Sequence, residues 1–122
     1  MARALSEDER AHYLERLRSV LDQHARQRQT LTYLELADAV AIPAPQRIHR
    51  LTRLLEILMK EDGNAGQPLR SALVVSRRGR GLPAEGFFDR ARRLGLFDGL
   101  DPAGFHRRQL AALFARAQRE PG

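Results

Sequence analysis

No cysteine occurs in the 122 residues. That absence excludes disulfide staples, thiolate metal sites and a cysteine nucleophile, and it fits a reduced cytoplasmic setting. No apolar run approaches the roughly 18–20 residues that a membrane span needs. The opening MARALSEDER is too charged for a secretory signal, so a soluble protein without a membrane partner is expected. Lysine is nearly missing, with Lys60 the single exception among 21 basic residues. Acid is missing altogether from residues 63–84, where Arg70, Arg77, Arg78 and Arg80 hold most of the net charge of +6. Histidines paired at metal-ligand spacing are lacking too, since His12, His24, His49 and His106 fall on separate segments. No glycine-rich loop with a lysine precedes a helix, so neither a metal nor a cofactor is expected. Ser71 and Ser76 have no base at a recognisable spacing. Glu35 with Asp38 fits helix capping and an exposed turn better than paired catalytic carboxylates. A non-enzymatic protein is the expectation.

A chain of this length buries enough surface for one domain and too little for two, so residues 1–122 are taken as one unit. Ser6 and Glu9 have the spacing of a capping box, and Tyr13, Leu14, Leu17, Val20 and Leu21 recur at helical spacing, which predicts a helix over 6–27. Thr32 and Glu35 repeat the device before a short helix with Leu34, Ala37 and Val40 turned inward. Pro43 and Pro45 stop it. The next helix, from about Pro45 to Glu61, gathers Ile48, Leu51, Leu54, Leu55 and Leu58 in one apolar sector, with Gln46, His49, Arg50 and Arg53 along the opposite face. Gly63, Gly66 and Pro68 mark a loop, after which SALVVS, Ser71 to Ser76, reads as a strand. Helical patterning returns over 85–119, broken at Gly95 and restarted by Asp101 and Pro102, with the last few residues frayed. The fold class is therefore mainly α with a small β component.

A short helix, a tight connection, a longer helix with a polar outer stripe, a strand and a basic loop form the order of a winged helix-turn-helix, here spanning 30–84 with extra helices at both ends. In that arrangement the second helix fills the major groove, bringing Gln46, His49, Arg50 and Arg53 to base edges and phosphates, while Arg77, Arg78 and Arg80 reach the neighbouring backbone. Pro83 and the following helix leave no room for a return strand, so the basic loop is expected to be a short arm rather than a full wing. The stripe alone is equally an amphipathic helix's solvated face, and an arginine-glycine loop is soluble without any partner. Three partners stay open: duplex DNA as the leading one, RNA, or a protein seated on the same scaffold. The oligomeric state is not legible.

The stretch TYLELADAVAIPAPQR, Thr32 to Arg47, resembles the helix-turn-helix start of the DNA-binding domain in the alkylguanine-DNA alkyltransferases and alkyltransferase-like proteins, where Thr/Ser-Tyr-x-x-Leu-Ala precedes a recognition helix. The resemblance implies that Thr32 and Tyr33 meet DNA, with Tyr33 rotating a phosphate. It also implies that Arg47, fourteen residues after the tyrosine, enters the base stack as a nucleotide flips out. The family's reactive strand reads Pro-Cys-His-Arg-Val-Val. Matching its valines to Val74 and Val75 puts Arg70, Ser71, Ala72 and Leu73 at the four preceding places, so the cysteine, histidine and arginine are all replaced. A serine without a neighbouring base is a poor nucleophile. The resemblance thus implies a fold and a DNA-binding surface rather than alkyl transfer, and residues 86–122 have no counterpart in it; a winged-helix DNA binder of this size is of the kind that serves as a transcriptional regulator.

Overall fold

The computed structural model describes residues 4–120; the expected fraying of the chain end extends to 121–122, outside the described residues. Helix α1 covers Glu7–Arg26. It opens on the expected capping box, in which the Ser6 hydroxyl accepts from the Glu9 amide at 3.1 Å and the Glu9 carboxylate accepts from the Ser6 amide at 2.9 Å. Strand β1, Leu31–Thr32, runs directly into helix α2, Tyr33–Ala39. Helix α3 is Arg47–Asn64, and a 3-10 helix over Arg70–Leu73 leads into strand β2, Val74–Val75. Helices α4, Glu85–Arg93, and α5, Pro102–Arg119, complete the described chain. The molecule is mainly helical, with one small sheet in which β1 and β2 pair in parallel, Leu31 opposite Val74 and Thr32 opposite Val75.

The 3-10 helix is the hub. It packs against α1, α3 and α5 together, and all four of its residues are buried. Around it Leu17 and Leu21 of α1, Leu36 of α2, Leu51, Leu54 and Leu58 of α3, and Val74 form the centre of the core. Phe97 and Phe105 stack at 4.6 Å between ring centroids and close the core on the α4–α5 side. Burying this short helix requires partners for its polar groups, because an unpaired buried donor or acceptor costs about 1–3 kcal/mol. The fold supplies them from distant segments. Gln109 of α5 accepts from the Leu69 amide at 2.9 Å, Asp62 of α3 accepts from the Arg70 amide at 3.0 Å, and the Ser71 hydroxyl donates to the Leu55 carbonyl at 3.3 Å. His106 Nε2 lies 2.8 Å from the Ala72 carbonyl oxygen, a contact that requires the ring nitrogen to carry the proton.

Several expectations need correction. The strand expected over Ser71–Ser76 is reduced to Val74 and Val75, because an unalternating apolar run does not separate a buried strand from a buried helical turn. Its partner β1 has no strand pattern in the sequence, because Thr32 serves as strand residue and helix cap at once. Helix α3 starts at Arg47 rather than Pro45, and Gln46 precedes it in the left-handed region at φ 60°. Leu34 and Ile48, expected to face inward, are 46% and 43% exposed. Both sit in the first turns of their helices.

Candidate functional site

Ten residues were singled out from the sequence: Thr32, Tyr33, Gln46, Arg47, His49, Arg50, Arg53, Arg77, Arg78 and Arg80. The fold sorts them into three sets.

The first set is committed to the structure. The Thr32 hydroxyl accepts from the Glu35 amide at 3.2 Å, and the Glu35 carboxylate accepts from the Thr32 amide at 2.8 Å. The Thr32 backbone N–H first, then the Thr32 hydroxyl, hold the Glu35 carboxyl below its ordinary range, with smaller help from His24 and Arg77. Arg47 is tied back onto the connection between α2 and α3: its Nε donates to the Ile42 carbonyl at 2.7 Å and its Nη2 meets Asp38 at 2.9 Å. Arg50 donates through Nη1 to the Pro43 carbonyl at 3.1 Å. Two of the arginines expected at a partner therefore brace the turn that joins the helices.

The second set lies on the surface at the start of α3. Gln46, His49 and Arg53 are exposed. Gln46 stands outside the helix, so the expected four-residue stripe is shortened to helical positions 49, 50 and 53 plus a preceding turn residue. Further along, Glu56 faces Arg90 of α4 at 4.0 Å.

The third set is the basic arm, residues 76–82. It holds no strand, as expected, but it is not an open loop. The Ser76 amide donates to the Leu82 carbonyl at 2.8 Å and closes it; inside, the Gly79 amide donates to Ser76 O at 3.1 Å and the Leu82 amide to Gly79 O at 3.0 Å. Arg80 and Gly81 reverse the chain with φ of 52° and 86°. Gly79 is required for a different reason: a Cβ there would lie 2.7 Å from the Leu82 carbonyl oxygen. Arg77, Arg78 and Arg80 are exposed and make no salt bridge with a described residue.

Tyr33 joins these sets. Its hydroxyl accepts from the Ala84 amide at 3.2 Å, where the arm returns to the core. Burial pushes its phenol above the ordinary value of 10.0, with the Ala84 N–H opposing, so the hydroxyl stays protonated at neutral pH. Beside it Glu56, Met59, Ser71 and Phe87 line an open cleft of about 280 Å³, solvent at its mouth included.

Two buried features escaped the sequence reading. Arg70 is 8% exposed and binds Asp62 through Nη2 at 2.9 Å and Nε at 3.2 Å, Glu61 at 3.1 Å and Asp22 at 3.8 Å. Burial works against its charge, but these carboxylates outweigh it and its pKa stands above the ordinary arginine value. His106 comes within a residue of Ser71, yet its Nε2 is taken by the Ala72 carbonyl and the Ser71 hydroxyl by Leu55. The Arg70–Asp62 pairing crosses the turn after α3, and the Asp22 and His106 contacts join distant segments, so no helical or strand periodicity signals them. Among the described residues no three His, Asp or Glu side chains gather as a metal site, and no helix is long and apolar enough to cross a membrane. The chain matches no described protein family, no curated protein and no solved structure.

Proposed function

We propose that the protein is a non-enzymatic binder of duplex DNA, holding the phosphate backbone with its basic arm and presenting the start of α3 to the major groove. One observation carries this reading. Three exposed arginines that form no salt bridge with a described residue sit on a loop whose backbone is already closed by its own hydrogen bonds. A polyanion meets such a loop without having to order it, which lowers the entropic cost of association. The non-enzymatic reading is supported at Ser71, whose hydroxyl donates to the Leu55 carbonyl while His106 Nε2 is engaged by the Ala72 carbonyl. The likeness of Thr32–Arg47 to the alkyltransferase DNA-binding domain favours DNA among the polyanions.

The internal partners of Arg47 and Arg50 revise the contact set. Six arginines at phosphates would give a slope of about −5 for log affinity against log salt; Arg53, Arg77, Arg78 and Arg80 alone give about −3.6. Fluorescence anisotropy on random duplex, single-stranded DNA and RNA at 50 and 200 mM salt tests this. The expected result is duplex preferred and weakened about 100-fold across that range. Salt-independent binding, or none, would refute it, and equal affinity for RNA would move the reading to RNA.

A protein partner is the second reading, and Leu100 is the observation that favours it. It is 72% exposed in the loop between α4 and α5, close to the exposed Leu96. Retention of a partner, or of a dimeric native mass, after nuclease treatment would support this second reading.

A further inference from the structure

We infer that the Tyr33 hydroxyl is a positioning group, a latch that fixes the root of the basic arm to the start of α2 and so sets where Arg77, Arg78 and Arg80 stand. For its affinity arm this inference rests on the nucleic-acid reading above.

The arm has two roots. The N-terminal one is secured by the sheet, since Ser76 directly follows Val75, which pairs with Thr32. The C-terminal one has no strand. Leu82 returns one bond to Ser76, Pro83 has no N–H to give, and Ala84 is the first residue whose amide reaches another element. That element is α2, through the Tyr33 hydroxyl. Thr32 and Tyr33 are consecutive, so the same two residues hold both roots, one by backbone pairing and one by the phenol. The phenol stays neutral and accepts the Ala84 N–H as a hydroxyl, so the latch needs no ionisation. Gly79 and the left-handed Arg80–Gly81 pair shape the inside of the arm; the Tyr33 hydroxyl ties its far end back to the start of α2.

Two variants remove the latch from opposite sides. Tyr33→Phe deletes the acceptor and keeps the ring. Ala84→Pro deletes the donor, and the φ of −64° at Ala84 already suits proline. Limited trypsin digestion reads the arm directly, because its three arginines are cleavage sites. Each variant is expected to raise cleavage after Arg77, Arg78 and Arg80 by about threefold to tenfold, the equivalent of one hydrogen bond, while cleavage after Arg16 and Arg18 of α1 stays unchanged. The double variant is expected to be no faster than either single one. In duplex titrations Tyr33→Phe should weaken binding by about threefold to tenfold with a shallower salt slope, and have no effect once Arg77, Arg78 and Arg80 are alanine. Unchanged arm cleavage, additive variants, or an equal affinity loss in the alanine background would overturn the latch. If the wild type does not bind duplex at all, the nucleic-acid reading fails, and the digestion alone decides the latch.

Discussion

Arg70 and Arg77 are seven residues apart in the same acid-free segment, and the fold uses them in opposite ways. Arg70 is buried with three carboxylates drawn from α1 and α3. Arg77, like Arg78 and Arg80, is exposed and unbridged to any described residue. Local composition treats the four as one basic cluster. Three-dimensional structure assigns one to holding the hub in place and leaves three facing solvent, so a charge count over the segment overstates what is available to a partner. The same division separates Arg47 and Arg50, which brace the connection between α2 and α3, from Arg53.

Substitutions that act on one side of this division should leave the other untouched. The largest effect is expected from Arg70→Ala, which strands the Asp62 carboxylate in the core; a loss of about 3–5 kcal/mol in stability is expected in urea titration. Thr32→Ala removes a cap at the point where β1 becomes α2 and should cost about 1 kcal/mol by the same measurement. Arg47→Ala breaks a partly exposed staple, and a loss of about 1 kcal/mol without any change in the salt slope of binding would place it with Arg70. A steeper loss of DNA affinity than of stability would move it to the arm's side of the comparison. Smaller still is the acid response. The Arg18 fork, at 3.0 and 2.7 Å, holds Glu61 below its ordinary 4.5 against the opposing pull of burial, and Arg70 adds to it. A depressed carboxyl stabilises the fold above 4.5 and loses that contribution as pH falls through its folded value. Stability of Glu61→Gln should therefore fall less steeply than wild type below pH 4.5, by no more than about 1 kcal/mol for so exposed a pair. The smallest effect belongs to the arm: replacing Arg77, Arg78 and Arg80 by alanine should change stability by less than about 0.5 kcal/mol.

What the sequence made legible follows from range. Both capping boxes and the Asp101 cap, whose side chain accepts from the Gly104 amide at 3.1 Å, were readable because donor and acceptor lie three residues apart. The arm was readable as charge and glycine, and its lack of a return strand followed from Pro83. The parallel pairing of Leu31–Thr32 with Val74–Val75, the 3-10 hub and the partners of Arg47 and Arg70 were not readable. The pairing and the hub depend on segments brought together by the core, the arginine partners on the path of the turns beside them, and SALV is as apolar in a helical turn as in a strand. The exposure of Leu34 and Ile48 has a related cause: helical periodicity gives the angle of a side chain but not whether a neighbouring element reaches as far as the first turn.

The central claim is that the arm's arginines, not those of the braced turn, carry binding. Measuring duplex affinity against salt for the wild type and for the variant with Arg77, Arg78 and Arg80 replaced by alanine tests it most directly. A wild-type slope of about −3.6 that falls to about −0.9 in the variant, with both proteins equally stable, is the predicted result. An unchanged slope in the variant, or a wild-type slope near zero, would contradict it.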